Sequence, residues 1–184
     1  NPEVKIEYRK PAWSLSVGYN RADNTPSFKQ RFAHTSSTLP NPDLGMETAD
    51  NWLAALSLTP TSSFSLRVSV FDNQIKDRIT YLTDADGMGQ YVNYGEVSYQ
   101  GGDVAITWQP VTNLTVKSSY IYLDAEDDAT GFKIPGKASH VVKGDLFWQA
   151  TDKLLAVLSG KRSGKVYRNR DNTKEVAAYA TFDL

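Results

Sequence analysis

Apolar and polar residues alternate with a period of two along most of this chain. Residues 13–19 place Trp, Leu, Val and Tyr at every second position, with serines and a glycine between them, and residues 64–70 repeat the arrangement. One apolar face and one small or polar face are typical of half-buried β-strands. No window has a convincing helical pattern. Nine segments are predicted as strands: residues 4–9, 13–20, 52–58, 64–70, 90–100, 114–124, 142–148, 154–160 and 176–184. The pattern of the fifth segment is compatible with an unbroken strand as far as residue 109.

The connections between these predicted strands alternate between short and long. The short ones are residues 10–12, 59–63, 110–113 and 150–153, and the long ones are residues 21–51, 83–89, 125–139 and 161–175. In an up-and-down antiparallel meander, alternate connections lie at the same end of the sheet. Short periplasmic turns at one end and long extracellular loops at the other are typical of an outer-membrane β-barrel.

The large aromatic residues are predicted to form two belts on the apolar face. One belt, beside the short turns, consists of Trp13, Phe64, Trp108 and Trp148; the other, toward the long loops, consists of Trp52, Tyr19, Tyr120 and Tyr122. Aromatic girdles flank the apolar band of a membrane barrel at both interfaces. We therefore expect the four tryptophans and Phe64 to lie at membrane interfaces. The alternative is a soluble β-sandwich whose aromatic residues face its core.

The opposite face of the same strands is polar. It carries Ser14, Ser16, Asn20, Ser65, Arg67, Ser69, Thr107, Lys117, Ser119, Lys143 and Asp145. Unpaired charges are costly to bury in a dry core. This face is therefore expected to line a lumen that water or a polar plug fills.

Composition excludes several other classes of function. The chain has 184 residues, no cysteine and a formal net charge of -1, from 20 basic and 21 acidic residues. The charge balance predicts no general attraction to nucleic acid, and the lack of cysteine excludes disulfides, thiolate zinc sites and cysteine nucleophiles. No apolar run approaches the roughly 20 residues of a transmembrane helix. A mean hydropathy of -0.44 still suits a membrane barrel, because only alternate residues face lipid.

Five segments in order resemble TonB-dependent outer-membrane receptors, in the C-terminal part of their β-barrel. They are RADNTPSF (residues 21–28), NPDLGMET (41–48), FDNQIKDRI (71–79), YVNYGEVSYQGG (91–102) and IPG (134–136). Met46 stands where this family usually has proline. The order and spacing of the segments fit across nearly the whole chain.

This resemblance implies an all-β fold in which about nine strands form part of a plugged barrel of about 22 strands. Residues 1–184 are then a segment of one barrel domain, and the plug and the remaining strands lie outside it. The implied function is uptake of a ferric siderophore, haem or cobalamin at the extracellular loops, with energy delivered by the TonB complex through the plug. Outer-membrane lipid and lipopolysaccharide are the other implied partners. No catalysis, cofactor, metal site or nucleic-acid binding is expected.

The candidate ligand-binding residues combine positive charge with aromatic rings at the start of the longest loop. They are Arg21, Phe28, Lys29, Arg31, Phe32 and His34. Such groups suit an anionic, aromatic iron chelate through charge and cation–π contacts. His34 also lies between an Arg-Ala and an Asn-Pro-Asp-Leu segment, as in some haem receptors, and imidazole is a good axial iron ligand. Asp23 departs from the haem form, which has proline there, so a surface histidine is the alternative.

Three weaker signals compete with these expectations. An outer-membrane enzyme of phospholipase type would use His34 or His140 as its base, but Ser139 adjoins His140 and strand neighbours point to opposite faces. Residues 84–87 (DADG) begin like a calcium loop but lack its distal glutamate, which favours a plain Asp-Gly turn. The acidic residues 126–128 could hold a divalent ion, although a solvated loop is the simpler interpretation.

Overall fold

The computed structural model describes residues 1–83 and 86–184, and the secondary structure in these ranges is almost entirely β. The main elements in chain order are β1 (Glu3–Lys10), β2 (Trp13–Asn24), α1 (Phe28–Phe32), β3 (Thr38–Leu39), β4 (Glu47–Thr61), β5 (Phe64–Lys76), β6 (Ile79–Thr83), β7 (Gly89–Asn93), β8 (Val97–Val111), β9 (Leu114–Asp127), β10 (His140–Thr151), β11 (Leu154–Ser163), β12 (Val166–Tyr167), β13 (Glu175–Val176) and β14 (Tyr179–Asp183).

Nine of these strands form one antiparallel meander, in the order β1-β2-β4-β5-β8-β9-β10-β11-β14. Two-residue turns join strands at residues 11–12, 62–63, 112–113 and 152–153. The longer connections, residues 25–46, 77–96, 128–139 and 164–178, all lie at the opposite end of the sheet. The predicted all-β meander and its asymmetric ends are therefore confirmed.

The two faces of the main sheet differ in burial. Its buried residues in the described part of the chain are Ala55, Ser69, Val97, Ala125 and Ser163. All five lie at the alternate strand positions that carry the polar side chains, as the strand registers show. We call these positions the polar parity and the remaining strand positions the apolar parity. A sheet that curves toward barrel closure crowds side chains on its concave face, so the polar parity is the inner one. The apolar parity remains open on the outside; Val70, for example, is 56% exposed.

Two predicted strands are each divided in the structure. The segment predicted from residue 90 to 109 is interrupted at Gly95, whose φ of 65° belongs to the left-handed region that glycine enters at little cost. Strand β7 consequently pairs with β6, while β8 joins the main sheet. The segment predicted at residues 176–184 contributes β13 to a ladder with β12 and β14 to the main sheet. Both predictions of a continuous strand were wrong. The alternation of apolar and polar residues continues across the point where the chain changes its pairing partner, so the pattern does not reveal the break.

The five-residue helix α1 was not predicted from hydrophobic periodicity. The Ser27 hydroxyl accepts a hydrogen bond from the Gln30 N–H at 3.2 Å, and the Gln30 side chain accepts one from the Ser27 N–H at 2.8 Å. This capping box satisfies two N–H groups at the helix start. The Ser-x-x-Gln spacing of residues 27–30 is the sequence feature that could have predicted this helix.

Several strands continue farther toward the long connections than predicted. Strand β4 has 15 residues and β9 has 14, whereas a membrane-spanning strand needs roughly 9–11. The sheet therefore rises beyond its apolar band and supports the loops from below. In the described ranges, no helix has the length and apolarity to cross a membrane. The turn predicted at residues 84–87 falls partly outside the described residues.

Candidate functional site

The connection at residues 25–46 packs against the β6–β7 hairpin above the main sheet. The Asn41 side-chain amide donates to the Tyr91 carbonyl at 2.8 Å, and Gln90 donates to the Pro40 carbonyl at 2.9 Å. Leu44 has no exposed surface. These contacts bring two of the family-like segments together and give residues 41–48 a structural role.

Asn93 joins the same connection to the end of β5. Its Oδ1 accepts from the Gly45 N–H at 2.7 Å, and its Nδ2 donates to the carbonyls of Gly45 and Asp77 at 3.1 and 2.8 Å. Glu47 accepts a hydrogen bond from the Ile79 N–H at 2.8 Å. A third family-like segment, residues 71–79, is thereby tied to the other two. We refer to the contacts of Asn41, Gly45, Glu47 and Asn93 as the loop clasp.

Helix α1 carries most of the predicted ligand-binding residues, and the structure gives them different surroundings. Phe28 is 79% exposed and lies 4.7 Å from the Phe32 ring, centroid to centroid. Lys29 beside them is exposed. His34 is exposed and has no ion pair within the described residues. All four side chains are accessible, and the two phenylalanines contact each other.

Arg31 turns away from that surface into the connection. Its Nη2 donates to the Leu44 carbonyl at 2.7 Å, and its own carbonyl accepts from the Asn41 N–H at 2.7 Å. Its Nε is buried without a hydrogen-bond partner among the described residues. Arg31 thus helps to fold residues 25–46 around Leu44.

Arg21 lies on the outer parity, above Tyr19 and beyond the belt that contains Trp52. Its guanidinium donates to both carboxylate oxygens of Asp50, at 2.9 and 2.7 Å, and the Tyr19 hydroxyl donates to Asp50 at 2.6 Å. The Arg21 guanidinium and then the Tyr19 hydroxyl lower the pKa of Asp50 to about 2, while Asp50 raises the pKa of Arg21. The predicted ligand contact of Arg21 has to compete with this bidentate pair.

A cleft of about 230 Å³ lies between three long connections, and none of the predicted ligand-binding residues lines it. Its lining comprises Arg78, Thr80, Tyr94, Val97, Asp127, Thr130, Phe132, Lys133, Ile134, Pro135, Arg170 and Asp171. Val97 and Asp127 lie directly opposite each other on the inner parity of β8 and β9. The cleft therefore opens on the lumen side of the sheet, at the end of the long connections.

A small apolar cluster forms the floor of this cleft. Ile134 is 8% exposed and packs with Val97 and Ala125, and its N–H donates to the Ala125 carbonyl at 2.9 Å. This packing folds residues 128–139 inward over the inner face. The family-like IPG segment thus packs against the inner face of the sheet, in addition to preceding the next strand.

Lys133 and Asn172 fasten the cleft's two later connections to each other. Asn172 Oδ1 accepts from the Lys133 N–H at 2.6 Å, and its Nδ2 donates to the Lys133 carbonyl at 2.9 Å. The Lys133 ammonium bonds to Asp124 and lies 2.7 Å from Glu126. These carboxylates, Asp124 first, raise the pKa of Lys133. Glu126 therefore pairs with a side chain of its own protein.

Two further cations of the cleft have no ion-pair partner among the described residues, namely Arg78 and Arg170. Arg170 lies over the Tyr94 ring at 5.9 Å from its centroid. Phe132 is 42% exposed beside them. Free guanidinium groups next to aromatic faces can bind a planar anion through hydrogen bonds, charge and stacking.

The predicted interface aromatics lie on the outer parity at two levels of the sheet. Phe64 lies directly opposite Trp108, next to the short turns. Trp13 and Trp148 also lie near that end, and both are exposed. Trp52, 53% exposed, contacts Tyr19 at 4.6 Å at the other level. Their contact with a membrane interface stays a prediction.

His140 has neighbours that do not suit a serine hydrolase. Its Nδ1 lies 2.8 Å from the Tyr120 hydroxyl, and its ring stacks on Tyr120 and contacts Tyr122. No carboxylate is hydrogen-bonded to it in the described ranges. Nor do these ranges contain a group of three or more potential metal ligands.

Known proteins share this architecture. A family model described as "TonB dependent receptor-like, beta-barrel" matches residues 1–184. The ferric yersiniabactin uptake receptor FyuA from Yersinia pestis is 14% identical, with a TM-score of 0.83, over 98% of this chain and 28% of that one. A mutant of the ferric enterobactin receptor PfeA from Pseudomonas aeruginosa is 17% identical, with a TM-score of 0.80, over 97% of this chain and 31% of the PfeA chain. The copper transporter OprC is 15% identical, with a TM-score of 0.79, over 98% of this chain and 30% of the OprC chain. The chain spans less than a third of the length of each.

Proposed function

This chain belongs to the TonB-dependent receptor β-barrel family, and we propose that it forms part of a receptor that binds a scarce ligand at its extracellular loops and imports it with TonB-derived energy. Barrels of this family lie in the bacterial outer membrane. The matched structures are named as receptors or a transporter. The proposal concerns the complete receptor, of which residues 1–184 supply the wall and several loops.

The observation that carries this proposal is the cleft on the inner side of the long connections. Its position between the loops and the lumen suits a ligand that arrives from outside and continues inward. The buried floor formed by Val97, Ala125 and Ile134 and the bonds between Lys133 and Asn172 hold the cleft in a defined shape. Preformed, partly apolar clefts with a few polar groups are the usual form of small-ligand sites.

The ligand class that best fits the cleft is an anionic iron chelate with aromatic groups, that is, a ferric siderophore. Arg78 and Arg170 supply unpaired positive charge, and Tyr94 and Phe132 supply aromatic surface. Two of the matched receptors are named for ferric siderophores. Haem and cobalamin are the alternative ligands and belong to the same test.

Helix α1 is proposed to make the first contact with the ligand at the outer surface. Phe28, Lys29 and Phe32 are exposed on this helix, and His34, two residues after its end, is exposed as well. Arg31 would act indirectly, by folding the connection that presents the helix. Arg21 would contribute only if its pair with Asp50 opened.

The test uses the complete receptor in a strain that lacks its own copy, with radioactive iron carried by a panel of siderophores or by haem, and labelled cobalamin. Replacing Arg78 and Arg170 by alanine removes two charged hydrogen-bond donors, each worth about 1.5–3 kcal/mol when paired. We expect binding to weaken roughly tenfold or more for each arginine. Arg168→Ala is the matched control, because Arg168 lies in the same connection as Arg170 but does not line the cleft.

Three results would contradict parts of this proposal. Lack of uptake of every compound would remove the import function. Unchanged affinity in the double variant, with normal receptor levels, would remove the cleft as the binding site. For haem, growth that is unaffected by His34→Ala would exclude His34 as an axial ligand.

A further inference from the structure

One arginine of the cleft, Arg78, lies in a two-residue junction between two sheets. Strand β5 ends at Lys76 in the main sheet, and β6 begins at Ile79 in the three-stranded sheet β3-β7-β6. Only Asp77 and Arg78 connect the two strands. Arg78 is half-buried and lines the cleft. The direction of its side chain is therefore set by how the chain turns within these two residues.

The alternation along β5 would point Arg78 away from the cleft. Lys76 lies directly opposite Thr48, which is at an outer position of β4. Successive side chains of a strand point to opposite faces, so residue 78 of an uninterrupted β5 would lie on the outer face with Lys76. In the structure, Arg78 instead lines the cleft together with Val97 and Asp127, two residues of the inner parity.

The alternation is interrupted by the backbone conformation of Asp77. Its φ is 53°, and only one other non-glycine residue in the described ranges has a positive φ. This left-handed conformation is costly for most residues and is adopted most readily by glycine, asparagine and aspartate. A positive φ ends the extended path of β5, so the side chain that follows Asp77 is free to point inward.

Hydrogen bonds hold the chain on both sides of Arg78. The Asp77 carbonyl accepts a hydrogen bond from Asn93 Nδ2 at 2.8 Å. The Ile79 N–H donates to a carboxylate oxygen of Glu47 at 2.8 Å. Asn93 and Glu47 both belong to the loop clasp. The loop clasp therefore fixes the peptide groups that flank the cleft arginine.

Tyr94 relates the same arginine to the second unpaired cation of the cleft. The Tyr94 N–H donates to the Arg78 carbonyl at 2.8 Å, and the Arg170 guanidinium lies 5.9 Å from the centroid of the Tyr94 ring. A change in the junction would therefore alter the spacing of the two guanidinium groups. Binding of one planar anion by two such groups depends on that spacing.

We propose that Asp77, Glu47 and Asn93 are positioning residues that turn the Arg78 guanidinium into the cleft for ligand binding. This inference rests on the proposed function, because the orientation of Arg78 affects binding only if Arg78 contacts the ligand. None of the three positioning residues lines the cleft, so they act through the junction. A side chain that is already oriented strengthens binding, because it does not have to be ordered when the ligand arrives.

The first test measures the direction of residue 78 without any ligand. In the complete receptor, spin labels are attached to Arg78→Cys and to Lys153→Cys, which lies in an exposed short turn at the opposite end of the sheet. Electron-spin resonance gives the distance distribution between the labels. Asp77→Asn should leave it unchanged, whereas Asp77→Val should shift or broaden it, because a β-branched residue is strained at a positive φ. An unchanged distribution in Asp77→Val would overturn the proposal.

The second test is a double-mutant cycle on binding of the ferric siderophore that the wild-type receptor takes up fastest. Glu47→Ala should weaken binding about fivefold, which is part of the roughly tenfold loss expected for Arg78→Ala. In the Arg78→Ala background, Glu47→Ala should add less than about twofold, because effects that act through one shared residue are not additive. A further fivefold loss in that background would show that Glu47 acts elsewhere and would refute its positioning role.

Two control variants distinguish positioning from charge. Glu47→Gln retains an oxygen acceptor for the Ile79 N–H, so its affinity should stay within about twofold of wild type. A loss as large as that of Glu47→Ala would attribute the effect to the charge and contradict the proposal. Asp43→Ala removes an exposed acid of the same connection, which has no hydrogen bond or ion pair among the described residues, and should not affect binding. A loss there equal to that of Glu47→Ala would count against a specific role of Glu47.

Failure of this inference can be distinguished from failure of the proposed function. Unchanged binding in Arg78→Ala would refute the cleft as the binding site, while the spin-label distances would still decide whether Asp77 directs residue 78. Weakened binding in Arg78→Ala with full affinity in Glu47→Ala would instead support the cleft and refute the positioning role of Glu47.

Discussion

Replacing Asn93 by alanine should loosen the extracellular connections without disturbing the sheet. Asn93 makes three hydrogen bonds with Gly45 and Asp77, at 2.7, 3.1 and 2.8 Å. Each bond contributes about 0.5–1.5 kcal/mol net, so their removal should cost the loop clasp about 3 kcal/mol. A loss of that size raises the population of the locally opened form on the order of a hundredfold.

Amide hydrogen exchange in the complete receptor measures this opening directly. The N–H groups of Gly45 and of residues 89–93 should exchange about a hundredfold faster in Asn93→Ala, while those of β4 and β5 stay protected. Asn93→Asp retains an acceptor for the Gly45 N–H but lacks the two donated bonds, so an intermediate effect is expected. Asn24→Ala is the control, because Asn24 is exposed and its side chain forms no hydrogen bond in the described ranges. Unchanged exchange in Asn93→Ala would refute the role assigned to the loop clasp.

Three further predictions follow from other parts of the molecule. Because Arg21 lowers the pKa of Asp50 to about 2, below its usual value near 4, the stabilisation from this pair should be complete above about pH 4 and disappear as the pH falls through 2. An infrared titration of the Asp50 carboxylate, with Asp50→Asn as the reference, checks this, and a midpoint near pH 4 would contradict it. Gly101→Ala should reduce the amount of heat-resistant folded barrel, because its Cβ would lie 2.2 Å from a carbonyl oxygen; Gly144→Ala, with its nearest atom at 3.9 Å, should not. Trp52 fluorescence should be quenched most by lipids brominated near the headgroup; quenching only by deep bromines would place Trp52 within the acyl region.

The main sheet was predictable because its signals are local. Alternation, two-residue turns and the asymmetry of the connections are all visible within short windows of sequence. The errors arose where the pairing partner changes without a change in alternation. Gly95 is such a point, since β7 and β8 have the same pattern on either side of it. The asparagine and tyrosine that precede this glycine indicated a turn only weakly.

The cleft was not predictable in the same way. Arg78 and Arg170 lie far apart in the chain and line one cleft only because β5, β8, β9, β10 and β11 stand in this order in the sheet. Each arginine alone resembles a solvated loop residue. Their significance depends on the inward folding of residues 128–139 around Ile134, which no local pattern indicates.

The position of a residue in the alternation along its strand predicts the surroundings of these charged residues better than the chemistry of their side chains does. Arg21 has the charge expected of a ligand contact, yet it lies an even number of residues from Trp13 on the same strand and therefore shares the outer face. Lys143 and Lys161 have no distinctive sequence context, yet their parity places them inside the barrel wall, opposite each other. In a single sheet with one side toward lipid and the other toward a lumen, orientation determines which partners a charge can reach. The outward arginine binds Asp50 of the neighbouring strand, whereas the two inward lysines lie opposite each other without an ion pair in the described ranges.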